Sequence, residues 1–227
     1  MRMKRLFRII SRALLLALIL LPATSQVALA QVTQLSFTTS AQTITAGVVS
    51  AVMTVRTENA GGGQENVAQD TTINLSSSSG TGRFDTDPAG SFDGSITSVT
   101  IEDGKNKENF YYKDTTAGTP IITAADIPSE HSGVDWTDAT QQQTINPASL
   151  DHFTFNTISN QTASTAFSIT ITAEDAFDNT ATSYTGTNSL SDTTGTISPT
   201  TTGAFTSGVG QVMLLSPRLK LMSKSQP

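Results

Sequence analysis

The sequence predicts an all-β chain: two tandem β-sandwiches, the second incomplete, behind a cleaved signal peptide. Three observations carry this. First, the segment Ala51-Val52-Met53-Thr54-Val55-Arg56-Thr57-Glu58-Asn59 recurs in altered form as Phe167-Ser168-Ile169-Thr170-Ile171-Thr172-Ala173-Glu174-Asp175. Small or apolar residues fall on alternate positions in both copies, the period of a half-buried strand. Second, flanking landmarks keep nearly the same offset. Thr54 and Thr170 lie 116 residues apart, Leu35-Ser36-Phe37 answers Phe153-Thr154-Phe155 at 118, and Leu75-Ser76 answers Leu190-Ser191 at 115. A repeat of this length is one small β-domain used twice. Third, Thr, Ser, Gly and Asn are abundant while charged residues make up 14%, a mix suited to sheets with polar outer faces.

Residues 1–30 read as the signal peptide. Arg2, Lys4, Arg5, Arg8 and Arg12 precede the apolar run Ala13 to Leu21, Pro22 breaks it, and Ala28-Leu29-Ala30 is a small-residue cleavage site before Gln31. Nine apolar residues are too few to span a bilayer, so the mature chain is expected to be secreted or at the cell surface with no membrane span. The chain has no cysteine, which excludes thiol catalysis, a disulfide framework and a lipid-modified cysteine.

Residues 31–147 read as the complete sandwich. Its strands are expected at Gln34 to Thr38, Val48 to Glu58, Thr71 to Ser77, Ile96 to Glu102, Asn109 to Asp114, Thr119 to Ala125 and Ala139 to Ile145, each bounded by Gly, Asn, Asp or Pro. About seven strands in roughly 115 residues is the count and size of an immunoglobulin-like sandwich. Val49, Ala51, Met53 and Val55 are expected to line one buried face. Tyr111 and Tyr112 point to opposite faces, one of them into the core as a corner tyrosine tied to backbone. Asn146-Pro147 closes the unit.

Residues 150–210 read as a partial second repeat, with strands near Leu150 and at Ser168 to Ala173 and Ser183 to Leu190. Residues 211–227 read as an atypical tail without native-like structure, because Gln211 to Pro227 holds three bases, no acid and the apolar run Val212-Met213-Leu214-Leu215. The counterparts of Asn109–Asp114, Thr119–Ala125 and Ala139–Ile145 are expected to be missing. Of two readings, a truncated or frame-shifted end is favoured over a sandwich completed by a donated strand. Either way, self-association through the incomplete second repeat is expected.

Residues 31–210 hold five basic side chains against all nineteen acidic ones, a balance of −14. So acidic a body repels nucleic acid and anionic lipid and attracts divalent cations. Glu174, Asp175, Asp178 and Asn179 form a candidate calcium site, since calcium takes six to eight oxygens from carboxylates, amides and carbonyls. The competing reading is a plain turn, in which Asp and Asn bond their own backbone. Asp85-Thr86-Asp87-Pro88-Ala89-Gly90-Ser91-Phe92-Asp93 is a weaker acidic cluster. No cofactor is otherwise implied. His131 and His152 have no zinc-motif spacing and are expected at the surface or a strand edge. With no nucleophile elbow and no phosphate loop, the chain is not expected to be an enzyme. Trp136 is expected to pack, not to bind sugar.

Phe167-Ser168-Ile169-Thr170-Ile171-Thr172-Ala173-Glu174-Asp175-Ala176-Phe177-Asp178-Asn179, followed by Tyr184-Thr185-Gly186-Thr187, resembles the bacterial immunoglobulin-like (invasin-like) repeats of secreted and cell-surface proteins. Phe110-Tyr111-Tyr112-Lys113-Asp114 and the residues after it, to Pro120, resemble the later strands of the same repeats. The resemblance implies a non-enzymatic spacer or adhesion module whose partner is an extracellular protein or glycan. The alternative is a calcium-dependent or glycan-binding module of a secreted enzyme system, marked by a cation in the Glu174–Asn179 turn or by a flat array of exposed rings.

Overall fold

The structure, a computed structural model, describes residues 31–217. Residues 1–30, where a signal peptide is expected, and residues 218–227 lie outside the described residues. The described chain is all-β apart from one short 3-10 helix, Pro128–His131.

The first repeat is a two-sheet sandwich. One antiparallel sheet has the order β1 (Val32–Phe37), β3 (Met53–Asn59), β7 (Lys107–Lys113), β5 (Arg83–Asp85). The facing sheet has the order β6 (Ser98–Ile101), β4 (Thr71–Ser77), β8 (Ile121–Ala125), β9 (Ala139–Gln142). A short parallel pair, β2 (Thr43–Thr45) with β10 (Thr144–Asn146), joins the start of the repeat to its end. This arrangement defines an immunoglobulin-like sandwich. Between the sheets lie Met53, Val55, Phe84, Phe110 and Tyr112 from one side and Ile73, Leu75, Val99, Ile101, Ile122 and Ala124 from the other, all buried. Phe84 and Phe110 meet edge to face at 5.9 Å between ring centres.

Several expectations are corrected here. The buried face of β3 begins at Met53. Ala51 is exposed and Val49 only half-buried, because the Gln42 side chain occupies the backbone of Ala51: its Oε1 accepts from Ala51 N at 2.8 Å and its Nε2 donates to Ala51 O at 3.1 Å. Strands β2 and β5 were not expected; each has three residues, too short to show a period. Tyr112 is the core tyrosine, fully buried, but its hydroxyl donates to the Asp114 carboxylate at 2.6 Å and lies 2.8 Å from Ser77 Oγ, so side chains hold it instead of backbone.

The second repeat has one three-stranded sheet, β11 (His152–Phe155), β12 (Phe167–Glu174), β13 (Val209–Leu214). Its register copies the first. Phe37 pairs with Val55 and Phe155 with Ile171; Met53 pairs with Phe110 and Ile169 with Val212. Strand β13 therefore stands where β7 stands, which overturns two expectations: the counterpart of Asn109–Asp114 is present, and residues 211–214 are structured. Gly210, Val212 and Leu214 point inward while Val209, Met213 and Leu215 point out and are exposed. The outward apolar residues concealed the alternation. Over the sheet lies a loop layer contributing Ala181, Leu190, Ile197 and Phe205, with Phe153, Tyr184 and Phe205 packed edge to face at 5.1 to 5.7 Å. Single bridges Ser189–Thr201 and Ser198–Leu215 stand for the β4–β6 and β5–β7 pairs. Counterparts of β8 and β9 are absent among the described residues.

Candidate functional site

The Glu174–Asn179 segment is a tight turn built on one side chain. Asp175 Oδ1 accepts from the backbone N–H groups of Phe177 at 2.8 Å and Asn179 at 2.9 Å, the local bonding that makes Asp a turn residue. The turn after β3 has the same frame: Asn59 Oδ1 accepts from Gly61 N at 2.9 Å and Gly63 N at 3.1 Å. Bridges Glu58–Gln64 and Glu174–Thr180 close the two turns alike.

What the second turn carries is different. Asp175 is fully buried, and its Oδ2 accepts from Ala148 N, in the segment between the repeats, at 2.8 Å. Burial pushes this carboxyl up, but hydrogen bonds from the Asn179 side chain and from the backbone of Ala148, Asn179 and Phe177 outweigh it and hold it below the ordinary value. Asn179 Nδ2 donates to Thr115 O at 2.8 Å and its Oδ1 accepts from Ala117 N at 2.8 Å, both in the β7–β8 loop of the first repeat. Phe177 lies over Gly47, where a Cβ would come within 2.5 Å of the ring. Asp175 is thus engaged by its own turn and the connecting segment, and Asn179 by the first repeat. They do not converge with the other two residues of the expected calcium set.

Glu174 and Asp178 do converge, on a residue outside that set. His152 pairs with Glu174 across β11 and β12, and its Nε2 lies 3.2 Å from Glu174 Oε2 and 3.5 Å from Asp178 Oδ1. Its Nδ1 lies 3.1 Å from Asp151 Oδ2, and Thr154 Oγ1 donates to Glu174 Oε1 at 3.0 Å. In the first repeat the equivalent carboxylate, Glu58, accepts from Ser36 Oγ at 2.6 Å and Gln34 Nε2 at 3.0 Å and is ion-paired to Arg56. Hydrogen bonds from Ser36 and Arg56 hold Glu58 below its usual range. The signal for His152 was in the sequence: the offset of 118 places it on Gln34.

The remaining candidates are structural. Asp85, Asp87 and Asp93 each accept from backbone N–H groups of their own loop. His131 is not at the surface; its side chain is largely buried and stacks on Trp136 at 3.9 Å between ring centres. Trp136 is itself buried, which leaves no flat ring platform around it for a sugar. No helix of the described residues is long and apolar enough to cross a membrane.

No protein-family model matches the chain, and no curated protein matches it. Among solved structures, the chain is similar to FdeC, an Escherichia coli adhesin, at 14% identity and a TM-score of 0.40 over 85% of this chain and 55% of that one. It is also similar to domains 4 and 5 of the S-layer protein SbsC, at 9% identity and a TM-score of 0.34 over 51% of this chain and 53% of the other. A third is the CARDB domain of the PF1109 protein from Pyrococcus furiosus, solved with di-metal ions, at 14% identity and a TM-score of 0.31 over 49% and 90%. The match to each of the first two spans about half the length of that structure. Likeness of this degree carries no residue role or ligand across.

Proposed function

We propose that the chain is an exported, non-enzymatic spacer or adhesion module of the cell surface or extracellular space, whose partner is an extracellular protein or glycan. The observation that carries this is the clamp between the repeats. A loosely strung pair would leave the connecting segment to solvent. Here a buried carboxylate takes the backbone of Ala148, and a carboxamide bonds Thr115 and Ala117 on the neighbouring sandwich. Three partly buried bonds, one of them charge-assisted, fix the junction at several points, and a stalk must transmit position. The strongly acidic body and the export signal in the sequence support an extracellular setting.

Spin-label distances between a site on β4 and a site on β13 test the spacer reading. A narrow distribution that broadens in Asp175→Ala is expected; an equally broad distribution in both proteins would defeat it. Export is tested by mass spectrometry of the mature protein, which should begin at Gln31. The second repeat, without counterparts of β8 and β9 among the described residues, is where an added strand would complete a sheet, so self-association should appear as concentration-dependent sedimentation.

A further inference from the structure

We propose that His152 Nε2, Glu174 Oε2 and Asp178 Oδ1 form a binding site for a divalent transition-metal ion, with Asp151 as the carboxylate behind the histidine. The three donor atoms all lie within 4.8 Å of one another. Metal–ligand bonds of about 2.0–2.2 Å at tetrahedral angles place neighbouring donors roughly 3.3–3.6 Å apart. Of the two distances from Nε2, 3.5 Å falls within that spacing and 3.2 Å just below it.

The far side of each strand-borne ligand is already held. Asp151 faces Nδ1 of the histidine, and Thr154 donates to the second oxygen of Glu174. A carboxylate behind a ligating imidazole fixes its tautomer and raises its basicity. Charge argues the same way. Asp151, Glu174 and Asp178 gather around one imidazole, and the sequence has no Lys or Arg between Lys113 and Arg218. In the first repeat the same strand pair carries Arg56 on Glu58. The residue equivalent to Arg56 is Thr172, so the second repeat keeps the carboxylate and lacks the cation.

Asp178 adds a backbone observation. It has φ +64°, left-handed, where the first repeat has Gly62 at φ +76°. Aspartate tolerates this region better than most side chains but is still less favourable there than glycine. The class of ion follows from the donors. One imidazole and two carboxylates, open to water on the Asp178 side, suit zinc, nickel or manganese. Calcium takes six to eight oxygens and no nitrogen, and Asp175 and Asn179, which would have supplied oxygens, are engaged elsewhere.

The untagged protein is titrated with zinc chloride while the imidazole resonances are followed by NMR. The chain has two histidines, so His131 serves as the internal control. The expected result is a one-to-one shift of the His152 signals with those of His131 unmoved. His152→Gln, Asp178→Gly and Thr172→Arg each install the first repeat's residue, so folding should persist, as a melt will verify. Each should weaken zinc binding at least about 100-fold, and Asp151→Asn about 10–100-fold, as for other residues behind a ligand. Unmoved His152 signals at millimolar zinc would overturn the proposal. So would unchanged affinity in His152→Gln, or displacement of zinc by an equal concentration of calcium.

Discussion

The turn that follows β3 is Gly61-Gly62-Gly63. The turn that follows β12, on the same backbone frame, is Phe177-Asp178-Asn179. In the first repeat the turn only reverses the chain. In the second, Phe177 covers Gly47, Asn179 bonds the neighbouring loop, and Asp178 faces His152. The difference teaches where a repeated sandwich can acquire new work. The strands must keep their buried alternation, but a glycine turn is free to gain side chains wherever the backbone geometry tolerates them.

The largest effects should come from the shared strand. Val55 and Ile171 occupy equivalent buried positions. Aspartate at either buries an unpaired charge and costs several kcal/mol, roughly the stability of a small domain. The expected outcomes differ between the repeats. Ile171→Asp should abolish the second repeat's melting transition and leave the first, since the first sandwich has both of its sheets. Val55→Asp should remove both, because the second leans on the first through Asn179 and Phe177. Calorimetry that shows the first transition lost in Ile171→Asp would mean the repeats fold as one unit.

Next in size is the clamp. Asn179→Gly makes the second turn like the first and leaves Ala117 N–H and Thr115 C=O without their partner. A cost of about 1–3 kcal/mol is expected, read as a lower midpoint for the second transition. Gly47→Ala tests the other half of the junction. Its φ of +78° disfavours any side chain, and the new Cβ would strike the Phe177 ring. The matching change at Gly62, where a Cβ would meet nothing within 4 Å, should cost less.

Acid should act more gently and on both repeats, because Asp175 in the second is held below its ordinary value as Asp114 is in the first. Burial raises the Asp114 carboxyl, but hydrogen bonds from Thr81, Tyr112, Thr116 and Ser79 outweigh it and leave it depressed. A depressed carboxylate contributes stability above its unfolded pKa, and that contribution is lost as pH falls through the folded value. The first transition should therefore weaken below about pH 4, the ordinary carboxylate range. Asp114→Asn should lower the neutral-pH midpoint and flatten this dependence.

The parts legible in the sequence are those with one clean period. Strand β12 and its offset from β3 stood out because Ile169, Ile171 and Ala173 alternate with Ser and Thr. Strand β13 was hidden because Met213 and Leu215 put apolar groups on its outer face as well. The site was half legible for a related reason. Glu174 and Asp178 lie close in sequence and suggest oxygen chemistry, whereas His152 reaches them only through the β11–β12 pairing. Asp175 and Asn179 look like ligands until the contacts with Ala148, Thr115 and Ala117 are known, and those join segments 27 to 64 residues apart.

The smallest effect sharpens the comparison most, because it sets the cost of the extra side chain against its use. Asp178→Gly places the second turn on the first turn's residue. Glycine relieves the left-handed strain, of order 1 kcal/mol, but frees the unfolded chain, which returns roughly 0.4–1 kcal/mol of that gain. Without metal the variant should therefore melt within about 0.5 kcal/mol of the parent, and on the stable side if strain dominates. With saturating zinc the order should reverse, because an ion that binds only the folded state stabilises it by mass action, and the variant lacks a ligand. A midpoint that falls in Asp178→Gly by the same amount with and without zinc would show that Asp178 serves only the turn. In that event its left-handed backbone would reflect the tolerance of aspartate for that region, and the resemblance of the two turns would end at their shared hydrogen bonds.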